Sequence, residues 1–239
     1  MKIKAVLFDL DGTLLPMDND LFIKVYFGKL GQTVAGYGIG PDLFKKALFG
    51  GIEAMQKNDG RATNEALFWQ TFEAVTGGLT EEQRGAFDYF YENVFPTVKE
   101  VCGYTPLARE ILDMLKGTGI KLALATAPVF PETATRQRAG WGDIYLSDFD
   151  LVTTYENVYH TKPSLEYYSD IAKALNVLPE ECIMIGNDAY DDMVASELGM
   201  KVFLITDHLV NRGGVDITAY PNGSFADMIE YLKLALKQE

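Results

Sequence analysis

Val6-Leu7-Phe8-Asp9-Leu10-Asp11-Gly12-Thr13 ends an apolar run with two carboxylates, a glycine and a hydroxyl. The run from Ile3 to Phe8 is too short and too rich in β-branched residues for a helix, and it predicts a buried strand that stops at Asp9. Side chains alternate along an extended chain, so Asp9 and Asp11 lean to one side, close enough to share a divalent cation or one reacting group. Gly12 permits a tight turn and close backbone approach to an anion, and Thr13 adds a hydroxyl beside exposed N–H groups. Alone, the octapeptide also fits a strand running into an ordinary Asp-Gly turn. The remainder of the chain decides between that turn and a phosphoryl-transfer site.

Working outward, strand-like runs recur at 121–126, 182–186 and 201–205, with a short one at 149–153. They alternate with helical patterns, the signature of an α/β fold with a parallel sheet and crossover helices. Thr105-Pro106 starts a helix that stops at Gly117. Ser164 opens one with Tyr168, Ile171, Ala172 and Leu175 on one face, and Ser224 opens the last, with Phe225, Met228, Ile229 and Leu232 inward. Ligands of such sheets bind beyond the carboxyl ends of the strands, where Asp9, Thr126 and Asp188 fall. Between residues 17 and 96 nothing reads as a strand. There Thr80 and Gln83 form a capping box ahead of Phe87, Phe90, Tyr91 and Val94, and Phe68, Phe72 and Val75 form a second stripe. These aromatic stripes read mostly as the core of an all-helical insertion. Gly36-Tyr37-Gly38-Ile39-Gly40 follows no strand and lacks Gly-x-Gly-x-x-Gly spacing, so it reads as an interhelical loop.

Composition narrows the setting. The 239 residues, 48% hydrophobic, suffice for one large domain or a domain with an insertion. With 21 basic and 34 acidic residues the net charge is −13, which disfavours nucleic acid and anionic membranes as partners. The two cysteines, Cys102 and Cys182, suggest neither a disulfide framework nor a zinc site and point to a reducing, cytoplasmic setting. The run before Asp9 is too short for a signal peptide, and no apolar stretch is long enough to span a bilayer.

Four segments in order resemble the haloacid dehalogenase superfamily, in its phosphatase branch. Asp9-Leu10-Asp11-Gly12-Thr13 matches the first motif, and the apolar strand Leu122-Ala123-Leu124-Ala125-Thr126 the second. Lys162-Pro163 resembles the third, and Gly186-Asn187-Asp188-Ala189-Tyr190-Asp191-Asp192-Met193 the fourth. The resemblance implies a Rossmann-like core from 1–16 and 97–239, with a helical cap at 17–96 bounded near Pro16 and Pro96. It implies a Mg²⁺-dependent phosphatase acting on a small phosphorylated metabolite through an aspartyl-phosphate. Asp9 would be the nucleophile and Asp11 the acid, then the base, while Gly12, Thr13, Thr126, Ala127 and Lys162 hold the phosphoryl group. The metal set would be the Asp9 carboxylate, the Asp11 carbonyl and Asp188, supported by Asn187 and Asp192. Three converging carboxylates repel by roughly 4 kcal/mol per pair at about 4 Å and an effective dielectric near 20, which a cation and Lys162 would offset. Asp192 would orient Lys162 or a metal-bound water, with Asp191 the competing candidate and helix-end charge its simpler role. His160 reads as a loop histidine.

Departures from the pattern are Ala127, where asparagine is common, Thr161, where glycine is frequent, and the stretch Pro163-Ser164-Leu165, which lacks the second proline often found there. An acid at Asp11 favours phosphate esters over carbon–halogen bonds. The alternatives are a sugar phosphomutase on the same core and a non-catalytic binding relative. A phosphonate-cleaving enzyme would draw a Schiff-base lysine from Lys24, Lys29, Lys45, Lys46 or Lys57, all of which surface roles explain.

Overall fold

Ala5-Val6-Leu7-Phe8 forms β1 (Ala5–Phe8), buried at every position. An apolar strand without polar alternation needs cover on both faces, which a parallel sheet between helices supplies. In the computed structural model, which describes residues 2–237, β1 lies inside a six-stranded parallel sheet of order β3-β2-β1-β4-β5-β6. The other strands are β2 (Lys121–Leu124), β3 (Leu151–Val152), β4 (Cys182–Gly186), β5 (Lys201–Ile205) and β6 (Asn222–Gly223). Phe8 stands opposite Leu124 on one side and Ile185 on the other, so β1, β2 and β4 end level. The chain passes from β1 outward to β2 and β3, then returns to the other flank with β4 and β5. This reversal opens a crevice above the strand ends beside β1.

Alternate residues of each strand feed two apolar layers. Val6, Phe8, Leu122, Leu124, Ile183 and Ile185 face α5 (Pro106–Leu115) and α8 (Phe225–Lys237), and that layer continues into the segment between β1 and β2. Ala5, Leu7, Ala123 and Met184 face Tyr167, Tyr168, Ile171 and Ala172 of α7 (Leu165–Ala174). Thr105 caps α5, with Pro106 at its first position, and Ser164 caps α7.

The segment between β1 and β2 is helical: α1 (Asn19–Ala35), α2 (Pro41–Gln56), α3 (Asn64–Thr76) and α4 (Glu81–Tyr89). Both halves of the Thr80–Gln83 capping box are made. Past α4 the chain widens into a π turn (Phe90–Val94) and tightens into a 3-10 turn (Phe95–Val101), so Pro96 falls inside helical backbone at the first turn, where its missing N–H costs nothing. The 36–40 segment is the loop joining α1 and α2, with Gly38 at φ +85°. Where the segment leaves and rejoins the sheet its two ends touch: Gly103 N donates to Pro16 O at 2.7 Å, and Met17 bridges Cys102 antiparallel.

Two elements are not evident in the sequence. β6 is two residues long, and α6 (Glu132–Trp141) has no apolar stripe. The stretch after Asp192, where Asp191 read as a helix-end charge, is a 3-10 turn (Met193–Leu198) closed by Gly199 at φ +84°. Both cysteines are free. Among the described residues no helix is long and apolar enough to cross a membrane.

Candidate active site

The level strand ends bring the segments after β1, β2 and β4 to one crevice. Asp9 stays in the sheet ladder, its N–H donating to Ile185 O at 2.9 Å, and the residue is 7% exposed. Lys162 reaches it from the loop before α7: Nζ donates to Asp9 Oδ1 at 2.9 Å and to Asp192 Oδ1 at 2.6 Å. The Lys162–Pro163 peptide is cis. Asp192 Oδ2 accepts the Asp188 N–H at 2.9 Å, and Gly186 makes room for that carboxylate, since a Cβ there would lie 2.0 Å from Oδ2. Asp188 Oδ1 accepts from the N–H groups of Tyr190 and Asp191 at 2.8 and 2.9 Å, an Asx turn that fixes the side chain at the cleft.

Gly12 and Thr13 stand behind the carboxylates. Gly12 has φ +80°, and a Cβ on it would meet Asn187 Nδ2 at 2.2 Å, so only glycine lets the two loops close. Asn187 Nδ2 donates to His208 O at 2.7 Å. The Thr13 hydroxyl lies 3.3 Å from Asp9 Oδ2 and 3.2 Å from Asn187 Oδ1, and its one proton serves one of them at a time. Thr126 is buried; its carbonyl accepts from the Thr153 and Tyr167 hydroxyls, both at 2.9 Å. Its own Oγ1 has no partner, and neither does the buried Asp11 Oδ1. Buried polar atoms are normally bonded, so these two stand out; Asp11 lines the cleft described next, whereas Thr126 does not.

The cleft, about 280 Å³, is lined by five carboxylates, Asp9, Asp11, Asp188, Asp191 and Asp192, against Lys162 and Arg212, with Ala127, Val129 and Phe130 on one wall. Burial raises the Asp11 carboxyl to about 6, with Arg138 opposing and Asp9 adding to the rise. Burial also raises Asp192, against the pull of Lys162. For Lys162, burial alone would lower the ammonium, but Asp192 and Asp9 together hold it well above its ordinary value. Burial, then Asp188, raises Asp191. Among the described residues no three His, Cys, Asp or Glu side chains converge as a metal centre. A magnesium set of two carboxylates and a main-chain carbonyl asks for less, and a cleft this rich in carboxylate suits a hard cation.

A family model described as haloacid dehalogenase-like hydrolase matches residues 3–199. The chain belongs to that family. Among curated relatives it is similar to pyrophosphatase PpaX of Bacillus cereus (strain Q1), 28% identical over 227 residues, 89% of this chain and 87% of that protein. A phosphatase of the same family from Thermococcus onnurineus has a similar fold, with TM-score 0.60 and 21% identity over 96% of this chain and 98% of the other. So does β-phosphoglucomutase from Clostridium difficile, at 0.56 and 18% over 99% and 98%.

The structure brings Asp9, Asp11, Ala127, Lys162, Asn187, Asp188, Asp191 and Asp192 to one cleft of this hydrolase. His160 instead pairs through Nδ1 with Asp170, at 2.9 Å on α7. The residue absent from the sequence reading is Arg138. Fully buried on α6, it forms an ion pair with Asp11 Oδ2 and donates to Thr135 Oγ1 at 3.1 Å, with its guanidinium over the Phe130 ring. Its only sequence signal is an arginine in a helix without an apolar stripe, far along the chain from the carboxylate it meets.

Proposed function

We propose that this protein is a Mg²⁺-dependent phosphatase that hydrolyses a small phosphate monoester through an aspartyl-phosphate on Asp9. A carboxylate oxygen of Asp9 attacks phosphorus as the bond to the leaving oxygen breaks, and the Asp11 proton passes to that oxygen. Asp11 then takes a proton from water as the water oxygen attacks phosphorus, and the acyl-phosphate bond breaks to release phosphate and restore Asp9. Lys162 offsets charge on the phosphoryl oxygens, and the unpartnered Thr126 hydroxyl donates to one of them. Mg²⁺, held by the Asp9 carboxylate, the Asp11 carbonyl and Asp188, would neutralise the phosphate dianion for attack by a carboxylate.

The observation that carries this reading is the unequal pair at the end of β1. Asp9 is hydrogen-bonded by an ammonium, whereas Asp11 is raised to about 6 and keeps Oδ1 free of partners, so one carboxyl suits attack and its neighbour suits proton transfer. A named phosphatase among the relatives supports phosphate chemistry. The helices from α1 through the Phe95–Val101 turn serve as a cap over the leaving-group side, attached at the touching pair Pro16 and Gly103.

The test is hydrolysis of acetyl phosphate and p-nitrophenyl phosphate with Mg²⁺ and with EDTA. Turnover should need the metal and fall at least a thousandfold in Asp9→Asn. Full activity in that variant, or transfer to a sugar phosphate in place of hydrolysis, overturns the proposal.

A further inference from the structure

Next to the catalytic cleft lies a second cavity, about 240 Å³, between the helices that separate β1 from β2 and the later loop residues Val129, Phe130 and Tyr155. Its walls include Leu48, Ile52, Phe68 and Trp69, and it shares Ile23, Val129 and Phe130 with the cleft. We propose that the leaving group of the phosphate ester is uncharged and apolar, an aryl or branched hydrocarbon group, and that it occupies this cavity while its phosphate sits at Asp9. This inference rests on the phosphatase reading and names its substrate class.

Three observations carry it. First, no charged residue among the described ones lines the cavity, and its polar atoms already serve one another. The Tyr26 and Tyr91 hydroxyls bond at 2.7 Å, and Trp69 Nε1 donates to the Tyr155 hydroxyl at 3.4 Å. A sugar would have to break those bonds, and a carboxylate or second phosphate would be buried without a countercharge.

Second, the nearby cations are committed elsewhere. Arg138 stacks on Phe130, 4.1 Å from the ring centroid, while its charge goes to Asp11. Arg84 lies over Trp69 and pairs with Glu73 at 2.6 Å. Arg212 lines the catalytic cleft and not this cavity, and its 2.6 Å pair with Asp20 lies at the exposed surface. A leaving phosphate, such as the name of the PpaX relative implies for its substrate, finds no cation here.

Third, the size fits. An apolar cavity of about 150 Å³ holds benzene, so the space here accepts a substituted ring or a short branched chain.

The test compares benzyl and 3-methylbutyl phosphates with phosphoglycolate, glycerol phosphate and pyrophosphate, with acetyl phosphate as a short reference, in wild type and in Ile52→Trp, which fills the cavity. In wild type, kcat/KM for the apolar esters should exceed that for the hydrophilic ones by tenfold or more. In Ile52→Trp the ratio of benzyl to acetyl phosphate kcat/KM should fall at least tenfold, with Ile52→Asn giving the same direction by polarity. Preference for a hydrophilic ester, or an unchanged ratio in both variants, overturns the inference while leaving the phosphatase reading intact. Should no ester turn over, the phosphatase reading fails. Calorimetric binding of benzylphosphonate with Mg²⁺ then judges the cavity alone, and absent or unaltered binding in Ile52→Trp overturns it.

Discussion

Lys162→Met removes a cation that bridges two buried carboxylates, and its cost follows from the geometry. At 2.9 Å from Asp9 and 2.6 Å from Asp192, the ammonium gains about 6 kcal/mol from each at an effective dielectric near 20. Desolvating three charges cancels most of this, and removing one partner of such a group typically costs about 3–5 kcal/mol, because the charges left behind stay buried. Methionine keeps most of the side-chain volume, so packing contributes little. In EDTA, which keeps cations out of the cleft, urea unfolding at pH 8 should show that loss, with a fall in melting temperature of roughly 10 °C for a chain this long. The pH dependence has a fixed sign. Asp192 is raised on folding, so the folded state holds a proton that the unfolded state releases near the ordinary carboxylate value. Stability therefore declines as pH rises from that value through the raised one. Lys162 opposes the rise, so its loss moves Asp192 higher, and each further pH unit over which the proton is retained shifts the balance by about 1.4 kcal/mol. The variant's deficit should thus be smaller at pH 5.5 than at pH 8. A loss under about 1 kcal/mol at pH 8, or an equal loss at both values, refutes the reasoning.

Gly12→Ala sets a Cβ against Asn187 at positive φ and should destabilise by about 2–3 kcal/mol and depress turnover, because Asn187 carries Thr13 with it; urea unfolding with wild-type stability would show that the loops are not pinned there. Arg138→Met removes the charge that holds Asp11 down, so in metal-free protein the Asp11 carboxyl should titrate above about 6, and a downward or absent shift in its carboxyl carbon-13 signal against pH would break the assigned pairing.

The parts of this molecule visible in its sequence are those with a local physical signal. Parallel strands buried on both faces are unbroken apolar runs, which is why Cys182–Gly186 and Lys201–Ile205 stand out at their observed bounds. A capping box is a contact between residues three apart, so Thr80 and Gln83 declare α4 by themselves. Arg138 is different in kind. Its helix buries Ala134, Thr135 and Ala139, too small or too polar to make a stripe, and its partner Asp11 is distant in sequence. Between the adjacent acids, the resemblance favours Asp192 and leaves Asp191 as the competitor. The path from Asp188 to the Met193–Leu198 turn supplies the reason, aiming Asp192 under Gly186 and onto Lys162. The aromatic stripes announced an apolar interior between the helices, but whether such stripes meet or leave a hollow depends on how the helices cross.

The contact of Pro16 with Gly103 gives the inserted helices a particular standing. Because the departing and returning strands of chain are already hydrogen-bonded, the sheet is closed beneath the insertion whatever lies beyond it. Loop-closure entropy grows slowly with length once the ends meet, so a longer or shorter insertion would add little closure cost at this junction. What such a graft must supply is fresh cover for the apolar layer that runs from the sheet into the helices. The junction thus acts as a neck that ties the helices to the sheet at a defined point, while the shared apolar layer decides what can sit upon it.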